Sequence, residues 1–285
     1  MSSSTLSAPE TVATEPETAA RKHSGDTSTA RRIVIPVAFA AIALALWQIG
    51  VTITGVPPYL VPGPLDVLNA LIESAPVLLE PTLVTAYEAY AGFAIAAVSG
   101  FGAALVMARF KTMELGFYPY LVILQTVPII AVAPILVVWF GAGAATNMLV
   151  AAMIAVFPVA ANTLQGLKST DRNLLQLYRM AGAPPRVQLF SLRVPGALPQ
   201  IMTGLKIAAS SAAIGAIVGE FAAGVGGGAG GLGYAITRFA NQLRTPELFA
   251  SVVLASVVAL VLFGVISFIE WLVLHRWHES ATPED

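Results

Sequence analysis

The sequence predicts an all-α membrane protein with six transmembrane helices. Three observations predict it: the composition, the apolar segments and the distribution of the basic residues. Of the 285 residues, 56% are hydrophobic and 11% are charged, and the mean hydropathy is +0.78. Soluble domains carry about 25% charged residues. So few charges cannot supply the polar surface that a soluble domain of this size needs, and the composition therefore excludes a soluble globular enzyme.

The apolar segments define the six predicted spans. A helix that crosses the bilayer needs ~20 consecutive, mostly apolar residues. The windows that satisfy this requirement run approximately over residues 33–51, 82–108, 115–140, 147–164, 201–223 and 249–274. An even number of spans places both chain ends on the same side of the membrane.

The basic residues predict which side that is. Thirteen of the fifteen Lys and Arg residues fall on the side that holds the termini, and only Arg238 and Arg244 fall on the other. Cytoplasmic loops of membrane proteins carry the excess of Lys and Arg. Both termini are therefore expected in the cytoplasm. Residues 52–81 contain no Lys or Arg and should be external, with a short surface helix over 65–79.

The two ends of the chain differ in composition from the body. Residues 1–30 are rich in Ser, Thr, Ala, Pro and Glu, which predicts a disordered cytoplasmic tail. Residues 31–278 form the predicted transmembrane domain, and 279–285 form a second cytoplasmic tail. No small-residue cleavage site follows the first apolar window, so we interpret it as a retained span and not as a signal peptide.

Several kinds of chemistry have no suitable residues in this chain. It has no Cys, and its three His residues lie near the ends, at His23, His275 and His278. We therefore expect no catalytic site, metal site or cofactor in the apolar body. The sequence contains no P-loop, and the glycine-rich run at 226–231 follows a predicted span where a dinucleotide site requires a strand. The net charge of −1 predicts no nucleic-acid binding.

Polar groups inside the spans are candidates for a solute pathway. Carboxylates are costly in the bilayer and face protein or water there, which singles out Glu88 and Glu220. Gln125 is a third candidate. Glu220 either lines the outer mouth of a pathway or holds the glycine-rich loop in place.

Two stripes of small residues allow close helix packing. In the second span, where we expect packing within the chain, the stripe is Ala96, Gly100, Ala104 and Ala108. In the fifth span the stripe is Ser211, Gly215 and Gly219, and packing within the chain and contact with a second subunit are equally open.

The longest internal cytoplasmic segment contains a predicted amphipathic helix over residues 173–181. Apolar and basic residues separate onto opposite faces at helical spacing. Gly182 and the Pro184-Pro185 pair should end this helix, and a second short helix is expected over 186–192. The amphipathic helix either lies at the lipid interface or docks against a cytoplasmic partner, and composition alone does not decide between the two.

This segment resembles the coupling loop of binding-protein-dependent ABC importer permeases. The family pattern is Glu-Ala-Ala, three residues, Gly, nine residues, Ile, one residue and Leu-Pro. Its positions fall here on Gln176-Leu177-Tyr178, Gly182, Leu192 and Val194-Pro195. The spacing of the pattern is kept, while the Glu-Ala-Ala triplet is replaced.

The resemblance extends over residues 57–278 and points to one branch of the family. Motifs similar to the nitrate, sulfonate and taurine permeases are Gln125-Thr126-Val127-Pro128, Ala133-Pro134, Trp139-Phe140-Gly141, Phe157-Pro158, Gly166-Leu167 and Gly231-Leu232-Gly233-Tyr234. Three further features lean toward permeases for riboflavin or thiamine-precursor pyrimidines: Glu88 four residues before Gly92, Val218-Gly219-Glu220-Phe221, and Arg276-Trp277-His278.

The resemblance implies a type I ABC importer permease fold in a prokaryotic inner membrane. Two copies, as a homodimer, would form the translocation pathway for a small polar solute delivered by an external solute-binding protein. The solute would be riboflavin or a thiamine-precursor pyrimidine, or otherwise a sulfonate, taurine or nitrate. ATP hydrolysis would take place on separate ATPase subunits, which contact the coupling loop at about 168–195. The coupling residues implied are Gln176, Leu177, Tyr178, Gly182, Leu192 and Pro195. The alternative is a secondary transporter that is not coupled to ATP.

Overall fold

The computed structural model describes residues 27–224 and 230–278, which form eleven α-helices. In chain order they are α1 Thr27–Thr54, α2 Pro64–Glu73, α3 Ala75–Arg109, α4 Lys111–Thr126, α5 Ile129–Phe140, α6 Ala144–Lys168, α7 Arg172–Met180, α8 Pro185–Val187, α9 Val194–Gly224, α10 Leu232–Asn241 and α11 Thr245–His278. A π-helical turn, Gln188–Arg193, joins α8 to α9.

The all-α fold and the apolar spans are confirmed, with one correction. Five helical segments of the described residues are long and apolar enough to cross a membrane by themselves. The third predicted span is a bent pair, because α4 and α5 meet at an angle of 99°. Six spans are reached when this pair counts as one, and a continuous helix over 115–140 is wrong. Val127 is extended because it precedes Pro128, and residues before proline are pushed out of the α region.

Two further helix boundaries differ from the sequence prediction, one in the segment predicted to be external and one near the N-terminus. The expected helix over 65–79 is divided at Ser74 into α2 and the start of α3. Pro76, near the start of α3, has no N–H and therefore cannot continue the hydrogen bonding of α2. Helix α1 begins at Thr27, inside the segment predicted to be disordered. The described residues do not include 1–26, 225–229 or 279–285. The predictions of a disordered N-terminal tail and a C-terminal tail, and most of the glycine-rich run, therefore lie outside them.

The core of residues 50–278 is built from small side chains on α3, α6 and α9. Its central cluster is mostly alanine, with Ala96, Ala155 and Ala212 fully buried on the three helices. A Cβ atom at Gly215 would lie 2.6 Å from the Cα of Ala151, which real Cβ atoms essentially never do. Such contacts allow the helix backbones to approach closely, as in other membrane helix pairs.

Both stripes of small residues therefore pack inside the chain. A Cβ at Gly100 would lie 2.9 Å from the Cβ of Val159, and one at Gly219 would lie 2.9 Å from the Cα of Asn147. The second-span stripe thus contacts α6, as expected. The fifth-span stripe, for which contact with a second subunit was equally open, contacts α6 through Gly215 and Gly219.

Candidate functional site

Helix α7 has a defined beginning and end, as the sequence predicts. The Asp171 carboxylate accepts a hydrogen bond from the Asn173 N–H at 2.7 Å and so caps the first turn. At the other end, the Gly182 N–H donates to the Arg179 carbonyl and the Ala183 N–H donates to the Tyr178 carbonyl, each at 3.0 Å. This pair of bonds is a Schellman motif, which needs a left-handed residue after the helix. Gly182 is that residue, with φ of 71°.

The face of α7 that carries Leu174, Leu177 and Met180 is apolar and exposed, while polar residues such as Arg172 and Arg179 are exposed as well. Leu174, Leu177 and Met180 lie three residues apart and are 46%, 56% and 79% exposed. Gln176 is also exposed, whereas Tyr178 is half-buried. A row of large exposed apolar side chains on a surface helix marks an interaction site more often than a water-facing surface. The predicted coupling residue Leu177 is therefore at the centre of this row, and Tyr178 lies at its edge.

The segment after α7 continues directly into the fifth span. Residues from Pro185 to Gly224 form one continuous helical segment, so the helix that contains the fifth predicted span begins well before residue 201. The Val194 N–H donates to the Leu189 carbonyl five residues earlier, which is the π-type pattern. Because this wider turn interrupts the regular α-helical hydrogen bonding just before Pro195, the helix accommodates the proline ring there. Leu192 and Pro195 are half-buried here.

Glu220 lies in a buried hydrogen-bond network at the other end of α9. Its side chain accepts the Gly233 N–H at 2.5 Å and the Thr85 hydroxyl at 2.6 Å. Thr85 in turn accepts the Leu232 N–H at 2.7 Å. The first N–H groups of a helix have no partner inside that helix. Glu220 and Thr85 satisfy two of them at the start of α10, and Glu220 is only 3% exposed.

Glu88 extends this network to α6. Its two carboxylate oxygens accept from the Asn147 amide at 3.0 and 3.1 Å, and Asn147 and Glu220 line the same small cavity. The Asn147 Oδ1 atom is buried and has no protein partner among the described residues. A cavity of about 10 Å³ beside Asn147, Glu220 and Tyr234 has room for about one water molecule. The structure thus brings two of the three pathway candidates together.

Gln125 is not part of this network. It is exposed on α4, two residues before the break at Val127. Thr85 and Asn147 are members that sequence reasoning missed. The spacing of Thr85 and Glu88, three residues apart on one helix, was the available signal, since such residues share a helix face.

A larger cavity, of about 550 Å³, opens next to Glu88. Its walls are mostly apolar and come from the first half of α3 and the start of α6. Tyr87 is 64% exposed, and Glu80 is the second carboxylate at its wall. A mostly apolar cavity of this size with a few polar groups is typical of small-molecule sites.

Fold and site together define a class of protein. Several apolar spans, polar groups buried between them and a helix with an exposed apolar row are the features expected of a membrane transport subunit. The comparison with family models agrees: residues 96–277 match the binding-protein-dependent transport system inner membrane component. The chain belongs to this family.

Relatives of known description cover nearly the whole chain. The Probable ABC transporter permease protein of Haemophilus influenzae is 33% identical over 86% of this chain and 97% of its own length. The Formylaminopyrimidine transport permease protein ThiX of Halalkalibacterium halodurans is 35% identical, over 84% and 94%. The Riboflavin transport system permease protein RibX of Chloroflexus aurantiacus is 32% identical, over 84% and 88%. The chain is therefore an ABC importer permease, as the sequence motifs indicated.

Proposed function

We propose that the exposed face of α7 docks into separate ATPase subunits, and that two copies of this chain form the pathway for a solute delivered by an external binding protein. The observation that carries the proposal is the apolar row Leu174, Leu177 and Met180, held by a capped helix start and the Gly182 turn. The other predicted coupling residues, Gln176, Tyr178, Leu192 and Pro195, remain proposed contacts to the ATPase.

The continuous helical segment from Pro185 to Gly224 gives a route for coupling. When ATP binding closes the ATPase pair, the two docked loops move together. Because α9 follows the loop without a flexible linker, the displacement reaches Glu220 at the far end of the same helix. Glu220 holds the start of α10 through Gly233, so movement of α9 also repositions α10, on the side that faces the binding protein.

The cavity beside Glu88 supports a particular class of solute. Its walls carry Tyr87, Glu80 and Glu88, and no Lys or Arg is among its lining residues. A tyrosine ring stacks on flat heterocycles, and carboxylates accept hydrogen bonds from ring N–H and amino groups. We propose a flat nitrogen heterocycle of the pyrimidine or riboflavin kind, as the names of two relatives suggest. Sulfonate, taurine and nitrate are disfavoured, because their anionic groups would meet two carboxylates.

Tyr87→Ala should lower transport of a pyrimidine solute by about five- to tenfold, the loss expected when one stacking contact of about 1–1.4 kcal/mol is removed. The measurement is uptake into proteoliposomes, with a solute first identified by thermal shift of the binding protein. Val98→Ala, at a 77% exposed position of the same helix, is the matched control. Unchanged uptake by Tyr87→Ala would place the pathway elsewhere, with Gln125 and Glu220 as the remaining candidates.

The proposed topology, with both termini in the cytoplasm, predicts opposite labelling of two single cysteines. The chain has no Cys of its own. Arg186→Cys, exposed in the proposed cytoplasmic loop and outside the apolar row of α7, should react with an impermeant maleimide only in inverted vesicles. Gln242→Cys, exposed after α10, should react in intact cells. Labelling of both positions from the same side would contradict the six-span arrangement.

A further inference from the structure

A cavity of about 300 Å³ lies at the base of the coupling loop and is lined by three arginines. Arg109 is the last residue of α3, Arg179 is in the last turn of α7, and Arg193 ends the π-helical turn. The rest of the wall is made by neutral residues: Ala108, Pro185, Gln188 and Leu189. Two of the three arginines thus belong to the loop, and the third belongs to a spanning helix.

These arginines have no carboxylate partner in the part of the chain that the structure describes. The ion pairs there use Lys111, Lys168, Lys206 and Arg244. Like charges gathered around one cavity repel each other, and an anion bound between them would lower that energy. Arginine is suited to a phosphoryl anion in particular, because its planar guanidinium donates two parallel hydrogen bonds to phosphate oxygens.

The surroundings of the cavity favour a lipid as the source of the anion. Arg109 closes a 35-residue apolar helix, which is long enough to carry its end out of the ~30 Å hydrocarbon core toward the lipid headgroups. The next residue, Phe110, is 52% exposed and lies under the Arg109 guanidinium, 5.0 Å from ring centroid to Cζ. Ala108 and Leu189 add an apolar side to the cavity. A polar pocket with an apolar edge fits a phosphate that carries acyl chains better than a free ion.

We propose that this cavity binds the phosphoryl group of an anionic phospholipid, which fastens the coupling loop to the end of α3. The bound headgroup offsets part of the charge of the three arginines and fixes α7 relative to the membrane domain. The site is distinct from the solute pathway and from the exposed face of α7, and lipid binding can be measured without either of those functions.

The test is retention of phosphatidylglycerol, compared with phosphatidylcholine, by the purified permease in native mass spectrometry. Wild type should retain phosphatidylglycerol selectively. Arg193→Gln and Arg109→Gln should each weaken that retention by about tenfold or more, as expected for the loss of a hydrogen bond to a charged group. Arg186→Gln, at an exposed position of α8 outside the cavity wall, is the matched control and should retain lipid as the wild type does.

Two further arms separate the lipid from other anions. Excess inorganic phosphate should not displace phosphatidylglycerol, and full displacement would overturn the lipid assignment in favour of a free phosphate site. Normal lipid retention by both Gln variants, together with weaker ATPase co-purification, would also overturn the proposal and assign the arginines to a carboxylate of the ATPase. Arg193→Lys keeps the charge but loses the paired donors, and should lie between wild type and Arg193→Gln; thermal unfolding in phosphatidylcholine checks that each variant is folded.

Discussion

Gly182→Val should uncouple ATP hydrolysis from transport, whereas Gly182→Asn should leave both close to the wild-type rate. Gly182 adopts a φ of 71°, and a Cβ atom there would meet no atom within 4 Å. The effect of a side chain is therefore on the backbone alone. The left-handed conformation costs an ordinary residue about 1–2 kcal/mol, and a β-branched one is particularly unsuited to it, while Asn visits it routinely.

That cost is enough to lower the fraction of molecules in which the last turn of α7 is folded. If the last turn of α7 unwinds to relieve it, about 1.4 kcal/mol reduces the docking-competent form roughly tenfold relative to the unwound form. The measurement is ATPase activity stimulated by the loaded binding protein, together with uptake into proteoliposomes. Normal stimulation and uptake by Gly182→Val would mean that the geometry of this turn does not control coupling.

Glu220→Ala should strongly destabilise the folded permease. The substitution leaves the Gly233 N–H without its buried acceptor and removes one partner of the Thr85 hydroxyl. A buried polar group that loses its partner costs about 1–3 kcal/mol. For two groups, together about 2–6 kcal/mol, we expect a thermal midpoint lower by roughly 5–20 °C, since each kcal/mol shifts the midpoint of a large domain by ~2–4 °C.

Glu220→Gln is the matched variant, because its carbonyl can still accept one hydrogen bond and its amide can donate to Glu88. Its thermal midpoint should lie between those of Glu220→Ala and the wild type. The measurement is thermal unfolding of the purified permease, with uptake measured in parallel. A Glu220→Ala permease with a wild-type midpoint and low uptake would instead favour the hypothesis that Glu220 lines the pathway.

The sequence predicts α7 well because its signals are local. The apolar spacing of the helix and Gly182 at its end both act within a few residues, and the structure places the helix within one residue of the expected bounds. The break between α4 and α5 has a signal too, in Pro128. That signal is ambiguous, since Pro119, Pro134 and Pro158 lie inside helices that continue through them.

The role of Glu220 shows where local signals end. A carboxylate in an apolar helix predicts a buried or functional group, but not its partners. Thr85 is 135 residues away in the sequence, and the two meet only because α3 and α9 pack together. Which donors surround Glu220 therefore depends on the tertiary packing, and the choice between a pathway residue and a support for α10 could not be made from the sequence.

Site-specific cross-linking from Leu177 tests the docking of α7 most directly. Leu177→Cys, labelled with a short photoactivatable maleimide, should cross-link to the ATPase subunit in the assembled transporter, with a yield that changes when ATP is added. Leu243→Cys, 66% exposed on the opposite side of the proposed topology, should give no such product. Absence of an ATPase cross-link from Leu177→Cys, together with solute uptake that continues without ATP, would contradict the coupled importer and favour a secondary transporter.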